Sequence, residues 1–340
     1  MGNSGSCCAT SEEKNPADHV DASFAPKYQR KQMNVWEATR LQAVLRGYLE
    51  RRSMRDEYRT RVTEVEVMKD VRKPEARNPS IEVAERYYGD FRYDNPVKDQ
   101  CRVVAKGPIQ VENGAIYTGE WNDSGERHGK GSQTWQDGSK YEGYWQQDKA
   151  NGKGRLIHAD GEVYIGDWVN DKAHGVGVYV HTDMSKYEGG WKEDKQHGEG
   201  IETWADGSRY EGDYVDGKKQ GFGFFKWKDG SEYRGQFHDN NMQGTGRYQW
   251  SDGRIYDGQW KLNKMDGKGV FIWPDGRKYV GEYVEDRKQG QGIFTWPDGR
   301  RYEGQWADGK QHGSGVYKDS TGEERHSEWS HGRKVRDKSG

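Results

Sequence analysis

The first eight residues of the chain carry a pattern that directs covalent attachment of fatty acids. The chain begins Met1-Gly2-Asn3-Ser4-Gly5-Ser6. Removal of Met1 exposes the α-amino group of Gly2, and a serine at position 6 completes an N-myristoylation signal. Cys7 and Cys8 follow at once, and a second acyl chain on a thiol makes a marginal myristoyl anchor stable. We therefore predict lipidation at Gly2, Cys7 and Cys8; the alternative is a disordered tail that happens to begin Met-Gly.

A second group of candidate binding residues lies in residues 33–61, where apolar positions follow the three- and four-residue spacing of one helical face. Residues 27–61 contain ten basic and four acidic residues, which gives a net charge of +6. The order Leu41-Gln42-x-x-x-Arg46-Gly47-x-x-x-Arg51 resembles an IQ motif, whose family binds calmodulin or related EF-hand proteins. The positive charge complements such an acidic partner. The sequence therefore predicts a calmodulin-binding helix.

The IQ resemblance also implies roles for individual residues. Leu41, Gln42 and Arg46 would engage one lobe of calmodulin, and Gly47 and Arg51 the other. The alternative is a helix that folds back and buries its apolar face on the rest of the chain. The candidate calmodulin-binding residues are Leu41, Gln42, Val44, Leu45, Arg46, Gly47, Tyr48 and Arg51.

The larger part of the chain, which must position these signals, is an internal repeat. A tyrosine recurs nine times from Tyr117 to Tyr302, first after 24 residues and then every 23. In the unit from Tyr187 to Arg209, the alternation Tyr187-Glu-Gly-Gly-Trp191 places the tyrosine, the glycine and the tryptophan on one face of a strand. A polar turn and a second strand follow, and Asp206-Gly207 turns the chain into the next unit. Each unit is thus predicted to be a β-hairpin.

The repeated pattern Tyr-x-Gly-x-Trp, then x-Gly-x-Gly, then Asp-Gly resembles the MORN family (membrane occupation and recognition nexus) over residues 111–333. The resemblance and the period together predict a mainly β fold: an elongated single-layer antiparallel sheet of stacked hairpins, preceded by an N-terminal α-helix. The paired glycines should leave a slot in which an aromatic ring lies against the neighbouring strand.

Two units depart from the pattern. Met184 stands where the other inter-unit turns have glycine, which predicts a turn that is strained or differently shaped. The tenth unit, around Trp329, has lost its tyrosine and its paired glycines, and is predicted to be a cap or a partner-binding edge. The aromatic residues around 87–93 are expected to pack on the first hairpin as a cap.

Composition excludes several classes of function. A net charge of −2 gives no basic field for nucleic acid. Three cysteines are too few for a disulfide framework.

The histidines of the array recur a whole repeat apart, too far to share a metal ion, and we expect neither a metal nor a cofactor. No nucleophile elbow or phosphate-cradling loop between a strand and a helix is present. We therefore expect no enzymatic activity, although MORN repeats precede kinase domains in plant phosphatidylinositol phosphate kinases.

The sequence thus predicts a scaffold with five segments. They are a flexible acylated tail (1–26), the IQ-like helix (27–61), a linker and N-terminal cap (62–110), the MORN array (111–333) and a flexible tail (334–340). The MORN resemblance implies cytoskeletal or ciliary partners at the cytoplasmic face of a membrane, whether cell cortex, plasma membrane or ciliary membrane. Phosphoinositide binding by basic columns of the array is the alternative function, and a homodimer through one array end is a further expectation.

Overall fold

The structure, a computed structural model, describes residues 79–93, 101–111 and 114–337. These residues form one helix, α1 (Pro79–Tyr88), and 21 strands. All the strands belong to one open sheet, in which each strand pairs antiparallel with the strands before and after it in the chain. The prediction of a mainly β, single-sheet fold of consecutive hairpins is confirmed. The helix expected at 33–61 lies outside the described residues.

The strands alternate between shorter and longer members, because each repeat contributes one of each. They are β1 (Val103–Gln110), β2 (Ile116–Asn122), β3 (Arg127–Thr134), β4 (Lys140–Gln146), β5 (Lys149–Ile157), β6 (Val163–Val169), β7 (Lys172–Val180), β8 (Lys186–Lys192), β9 (Lys195–Thr203), β10 (Arg209–Val215), β11 (Lys218–Lys226), β12 (Glu232–His238), β13 (Asn241–Gln249), β14 (Ile255–Lys261), β15 (Lys264–Ile272), β16 (Lys278–Val284), β17 (Arg287–Thr295), β18 (Arg301–Ala307), β19 (Lys310–Lys318), β20 (Glu324–Ser330) and β21 (Arg333–Asp337).

Two kinds of turn reverse the chain. Within a repeat, a two-residue turn such as Leu262-Asn263 has positive φ at both residues, 50° and 66°, as type I′ hairpins require. Between repeats, the glycine of Asp-Gly takes the positive φ, for example 88° at Gly207. Met184 takes this glycine position with a φ of 68°. The strained turn predicted there is therefore present.

Both ends of the sheet extend beyond the expected array. Strand β1 pairs with β2 and lies within residues 62–110, the segment predicted to be a linker and N-terminal cap. Strand β21 pairs with β20, so residues up to Asp337 are strand where a flexible tail was expected from 334. Neither added strand carries the tyrosine and paired glycines of the repeat, which is why the repeat pattern did not reveal them.

The sheet has two faces, and α1 lies on one of them. We call the face that carries the repeated tyrosines the aromatic face, and the opposite face the helix face. Ile81 and Ala84 of α1 are buried against Ile157 and Val163 of β5 and β6. At its end, the carbonyl oxygen of Gly89 accepts a hydrogen bond from Nη1 of Arg155 at 2.8 Å. The helix therefore lies over the end of β5 and the start of β6, next to the turn that joins them, rather than over the open end of the array.

The aromatic residues after α1 do reach the first hairpin. The hydroxyl of Tyr93 donates to the carbonyl oxygen of Gly131 in β3 at 3.2 Å, and its ring lies edge-to-face on Tyr144, with centroids 5.6 Å apart. Burial raises the pKa of Tyr93 to about 12. This segment thus joins α1 to the helix face of the first two repeats.

Candidate functional site

The aromatic face is built around nine buried tyrosines that share one environment. Each hydroxyl donates a hydrogen bond to the carbonyl oxygen of the residue three positions on, at 2.9–3.2 Å. Burial raises the pKa of these phenols, as at Tyr233 and Tyr256. Each ring is also clamped edge-to-face by two neighbours. Tyr256, for example, lies 5.1 Å from Trp260 of its own repeat and 5.3 Å from Tyr283 of the next. We call this row of nine tyrosines, with the rings that pack on them, the aromatic ladder. It couples each repeat to the next one.

The paired glycines have two different roles. A Cβ on the second glycine, such as Gly200, would overlap the ring of Tyr187. The first glycine, such as Gly198, instead has a positive φ of 75° and lies where the pairing register shifts between Gly189 and Trp191. The predicted slot is therefore present, but only the second glycine forms it, and the first allows a β-bulge.

A second row of rings runs along the aromatic face, beside the tyrosines. Its centroids are 4.4–6.2 Å apart from one ring to the next. Most of its members are only partly buried. The row consists of Trp204, Phe225, Trp227, Tyr248, Trp250, Phe271, Trp273, Phe294, Trp296 and Tyr317.

Cations lie over this aromatic row. The guanidinium groups of Arg254, Arg277 and Arg300 are 5.3–5.6 Å from the centroids of the tryptophans four residues before them. Each of these arginines also forms an ion pair with the aspartate of its Asp-Gly turn, at 2.7 Å. A surface of rings and cations is the kind that recognises partner proteins through aromatic anchors.

The basic columns considered for headgroup binding are on the helix face and have acidic partners there. Lys140, Lys186 and Arg209 pair with the glutamates two residues on, at 2.9, 2.9 and 3.3 Å. Arg301 pairs with Glu303 at 2.6 Å. Lys278 departs from this pattern, since Val280 stands at the corresponding position. The alternating charges on this face are therefore largely neutralised within the sheet.

The bulges contain a side-chain acceptor that the sequence pattern did not suggest. In the first strand of a repeat, one residue lies between the glycine and the following aromatic residue. Its side chain accepts a hydrogen bond from a backbone N–H in the bulge of the second strand. Asp213 Oδ2 accepts from the N–H of Phe222 at 3.0 Å, and Gln259 Oε1 from that of Lys268 at 2.7 Å. The recurrence of Asp, Glu or Gln at this place is the available sequence signal.

The hairpin turns also join one repeat to the next. The N–H of Asn263 donates to the carbonyl oxygen of Met242 at 3.1 Å, and Asn263 Oδ1 accepts from the N–H of Met242 at 2.7 Å. Asp286 makes the same two hydrogen bonds with Met265, at 2.9 and 2.7 Å. Asparagine and aspartate suit this position because they tolerate a positive φ and supply the acceptor.

The predicted lipidation residues and the predicted calmodulin-binding residues all precede residue 79, so they lie outside the described part of the chain. Within the described ranges, no helix is long and apolar enough to cross a membrane. In the same ranges, no cluster of three or more His, Cys, Asp or Glu side chains could hold a metal ion.

Two solved structures show weak similarity to the sheet. The TCP10 domain of Danio rerio CPAP, in complex with a peptide of Danio rerio STIL, is 11% identical and the alignment covers 70% of this chain and 100% of that chain, with a TM-score of 0.38. The TCP domain of the Drosophila melanogaster CPAP protein, in complex with a proline-rich motif, is 13% identical over 53% of this chain and 90% of that chain, with a TM-score of 0.27. At these values neither similarity bears on function.

A search of curated protein sequences finds no match. The MORN repeat family profile, in contrast, matches nine consecutive segments that together make up more than half of the chain. These segments are residues 117–140, 141–163, 164–183, 187–209, 210–232, 233–253, 256–276, 279–300 and 302–324. Each corresponds to one hairpin of the sheet and begins at or next to a tyrosine of the ladder. The chain is therefore a member of the MORN-repeat family, with nine tandem copies.

Proposed function

We propose that this MORN protein is a non-enzymatic scaffold, which binds cytoskeletal partners along its sheet and is held at a membrane by acyl chains on Gly2, Cys7 and Cys8. The observation that carries the proposal is the length of the sheet face that α1 leaves uncovered. Helix α1 packs on β5 and β6, while the aromatic row continues from Trp204 to Tyr317 on the opposite face. A long surface with a repeating pattern suits a protein that binds extended partners.

The geometry of the glycines argues against phosphoryl transfer. A loop that cradles phosphate needs open backbone N–H groups at the start of a helix. Here the second glycine of each pair lies beneath a tyrosine ring, as Gly223 does beneath Tyr210. These Gly-x-Gly segments are hairpin strands, which supports a scaffold role rather than the chemistry of MORN-containing lipid kinases. Turnover of phosphatidylinositol phosphate by the purified full chain would refute the proposal.

Phosphoinositide binding is the weaker alternative. It would require basic side chains that are available to a headgroup, whereas the columns on the helix face form ion pairs with neighbouring glutamates. A headgroup would have to displace those carboxylates. The observed pairing supports a solvated face of alternating charge.

Calmodulin responsiveness is the second element of the proposal, and it depends on the IQ-like residues 41–51. Replacing Leu41 and Arg46 together by alanine should remove the apolar contact and the charge that one lobe of calmodulin would use. Capture of the full chain on immobilised calmodulin, with and without calcium, measures this. A Thr60→Ala variant, outside the motif, serves as control. Undiminished capture of the double variant would refute the assignment.

The array itself is tested by a fragment that starts at residue 79, so that α1 and β1 are retained. In detergent-extracted native cells, the tagged fragment should remain with the insoluble cytoskeleton although it lacks the acyl sites and the IQ-like segment. Fragments in which the aromatic row is disrupted, for example by Trp227→Ala with Trp250→Ala, should be released if they stay folded by circular dichroism. Complete solubility of the unmodified fragment would contradict the scaffold role of the array.

A further inference from the structure

One position of the repeat points into the aromatic ladder, and the side chain there varies more than the rings around it. It is the second residue of the longer strand in most hairpins, and the first in β3. Seven of the nine positions carry a long side chain, while two carry alanine. In chain order the residues are Arg127, Ala150, Ala173, Gln196, Lys219, Met242, Met265, Lys288 and Gln311.

At one of these positions the surrounding rings enclose a cation. The Nζ of Lys288 lies 5.2 Å from the ring centroid of Trp273, 5.4 Å from Tyr279, 4.9 Å from Phe294 and 4.9 Å from Trp306. All four distances are within the range in which the faces of aromatic rings attract a positive charge. This part of the repeat is therefore a cation-binding cage that is filled from within by a lysine of the chain.

The cage at Ala173 has nearly the same ring geometry. Tyr164 and Trp191 lie 5.1 Å apart with planes at 79°, against 5.2 Å and 82° for the corresponding pair at Lys288. Tyr179 and Trp191 lie 6.1 Å apart at 40°, against 6.2 Å and 36°. The fourth position is taken by the imidazole of His158 instead of an indole. Three rings of the cage are thus held in place independently of any lysine.

The side chain of Ala173 ends at Cβ, so it leaves the space that the lysine stem and ammonium fill at position 288. Trp191 is partly exposed, so one ring of this cage is open to solvent. The cage at Ala150, the other alanine, is incomplete, because Leu156 takes the place of its third ring. Of the two alanine positions, Ala173 is therefore the one with an aromatic ring at all four places of the cage.

Carboxylates close to this cage add negative potential. Glu162 accepts a hydrogen bond from the hydroxyl of Tyr179, and its Oε1 is 2.9 Å from His181 Nδ1. Asp194 Oδ1 accepts from the N–H of Ala173 at 2.7 Å. At Lys288 the residue corresponding to Asp194 is Gly309, which donates its N–H to the lysine carbonyl but has no carboxylate. The site without an internal cation is thus the one with the additional negative charge.

We propose that the cage formed by Tyr164, Tyr179 and Trp191 around Ala173 binds the methylated ammonium group of an external ligand. A quaternary ammonium keeps its charge while it presents methyl groups to the rings, so aromatic cages recognise it well. The two sources of this chemistry are a trimethylated lysine side chain and a choline headgroup. The proposal is independent of the acyl anchor and of calmodulin binding.

The test is titration of the full chain with tetramethylammonium, choline and free trimethyl-lysine, followed by tryptophan fluorescence and calorimetry. We expect saturable binding at one site, with a dissociation constant on the order of 1 mM for the best ligand. The neutral isostere of choline, with carbon in place of nitrogen, should bind at least tenfold more weakly. Preference for trimethyl-lysine over choline would identify a peptide source, and the reverse a headgroup source.

Three variants distinguish binding in the Ala173 cage from nonspecific binding of the ammonium ligand to other aromatic residues. Ala173→Lys fills the cage from within and should abolish binding, while Ala150→Lys, in the incomplete cage, should leave it intact. Lys288→Ala empties a second cage and should raise the stoichiometry from one to two. Thermal melting checks that each variant is folded. No saturable binding by the unmodified chain, equal binding of the neutral isostere, or undiminished binding by folded Ala173→Lys would each overturn the proposal.

Discussion

The indole of Trp329 lies edge-to-face on the ring of Tyr302, with centroids 5.5 Å apart. Along the ladder, every tyrosine is covered in this way by an aromatic residue of the following repeat. The last tyrosine therefore needs an aromatic residue from a tenth unit, but that unit needs no tyrosine of its own. This explains why Trp329 is present although Arg325 and Ser327 stand at the tyrosine and glycine positions. Terminal units of repeat arrays act as such caps.

Removal of this cap should destabilise the end of the array. We expect Trp329→Ala to lower the free energy of unfolding of the last repeats by about 2 kcal/mol, because Tyr302 loses one of its two clamping rings. Arg325→Ala is the control, since its ion pair with Glu323 is exposed and worth little. Hydrogen exchange should show faster opening confined to β18–β21. Equal stability of the two variants would contradict the capping role.

A glycine beneath a tyrosine ring and a glycine in the hairpin turn should differ greatly in the cost of substitution within one hairpin. A Cβ at Gly223 would overlap the buried ring of Tyr210, whereas a Cβ at Gly217 meets no atom within 4 Å but has a φ of 82°. Gly223→Ala should therefore lower the free energy of unfolding by about 3 kcal/mol, as overpacking does. Gly217→Ala should cost about 1 kcal/mol through backbone strain alone. Urea unfolding measures both, and similar losses would show that the ring slot is not tight.

Met184 offers a stabilising substitution. Its φ of 68° is unfavourable for a residue with a side chain, and the side chain is 61% exposed, so little packing would be lost. Met184→Gly should raise the free energy of unfolding by about 1 kcal/mol. Met184→Leu, which keeps a Cβ in the same conformation, should leave it unchanged. A gain from leucine, or none from glycine, would mean that packing rather than backbone strain decides this turn.

The tyrosine ladder predicts a loss of stability in alkali. Burial raises the pKa of Tyr302 to about 12 and that of Tyr233 further, against about 10 in the unfolded chain. A raised folded-state pKa means that the stabilisation is complete below about pH 10 and is lost as the pH rises through the folded value. Each such tyrosine contributes a slope of up to about 1.4 kcal/mol per pH unit. Urea unfolding at increasing pH, with tyrosinate absorbance, measures this; ionisation of the ladder without unfolding would contradict it.

The periodic part of the fold could be predicted from the sequence, because the same residues fix both the period and the contact. Tyr187 and Gly200 are 13 residues apart, a spacing that recurs in every repeat after the first, and the two residues meet in the structure. Met184 likewise departs from the pattern at the turn where the backbone is strained. These predictions succeeded because each repeat contacts mainly its neighbours.

The parts that could not be predicted depend on partners far along the chain. Strand β1 has no repeat signature, so its pairing with β2 is decided by the open edge it meets. The position of α1 depends on Ile157 and Val163, which lie on the face with the weaker apolar pattern. The cation cage at Ala173 became visible only when its rings could be compared with those around Lys288. The lipidation and calmodulin assignments remain predictions from the sequence.

The most direct test of the scaffold account is fractionation of the C-terminally tagged full chain in its native cell, beside Gly2→Ala and a Cys7→Ser, Cys8→Ser variant. We predict that the unmodified chain is found with membranes, that Gly2→Ala is lost from them, and that the double cysteine variant binds them only weakly. Mass spectrometry of the N-terminal peptide should show the acyl chains. An unacylated N-terminus, with all three proteins distributed alike, would contradict the account.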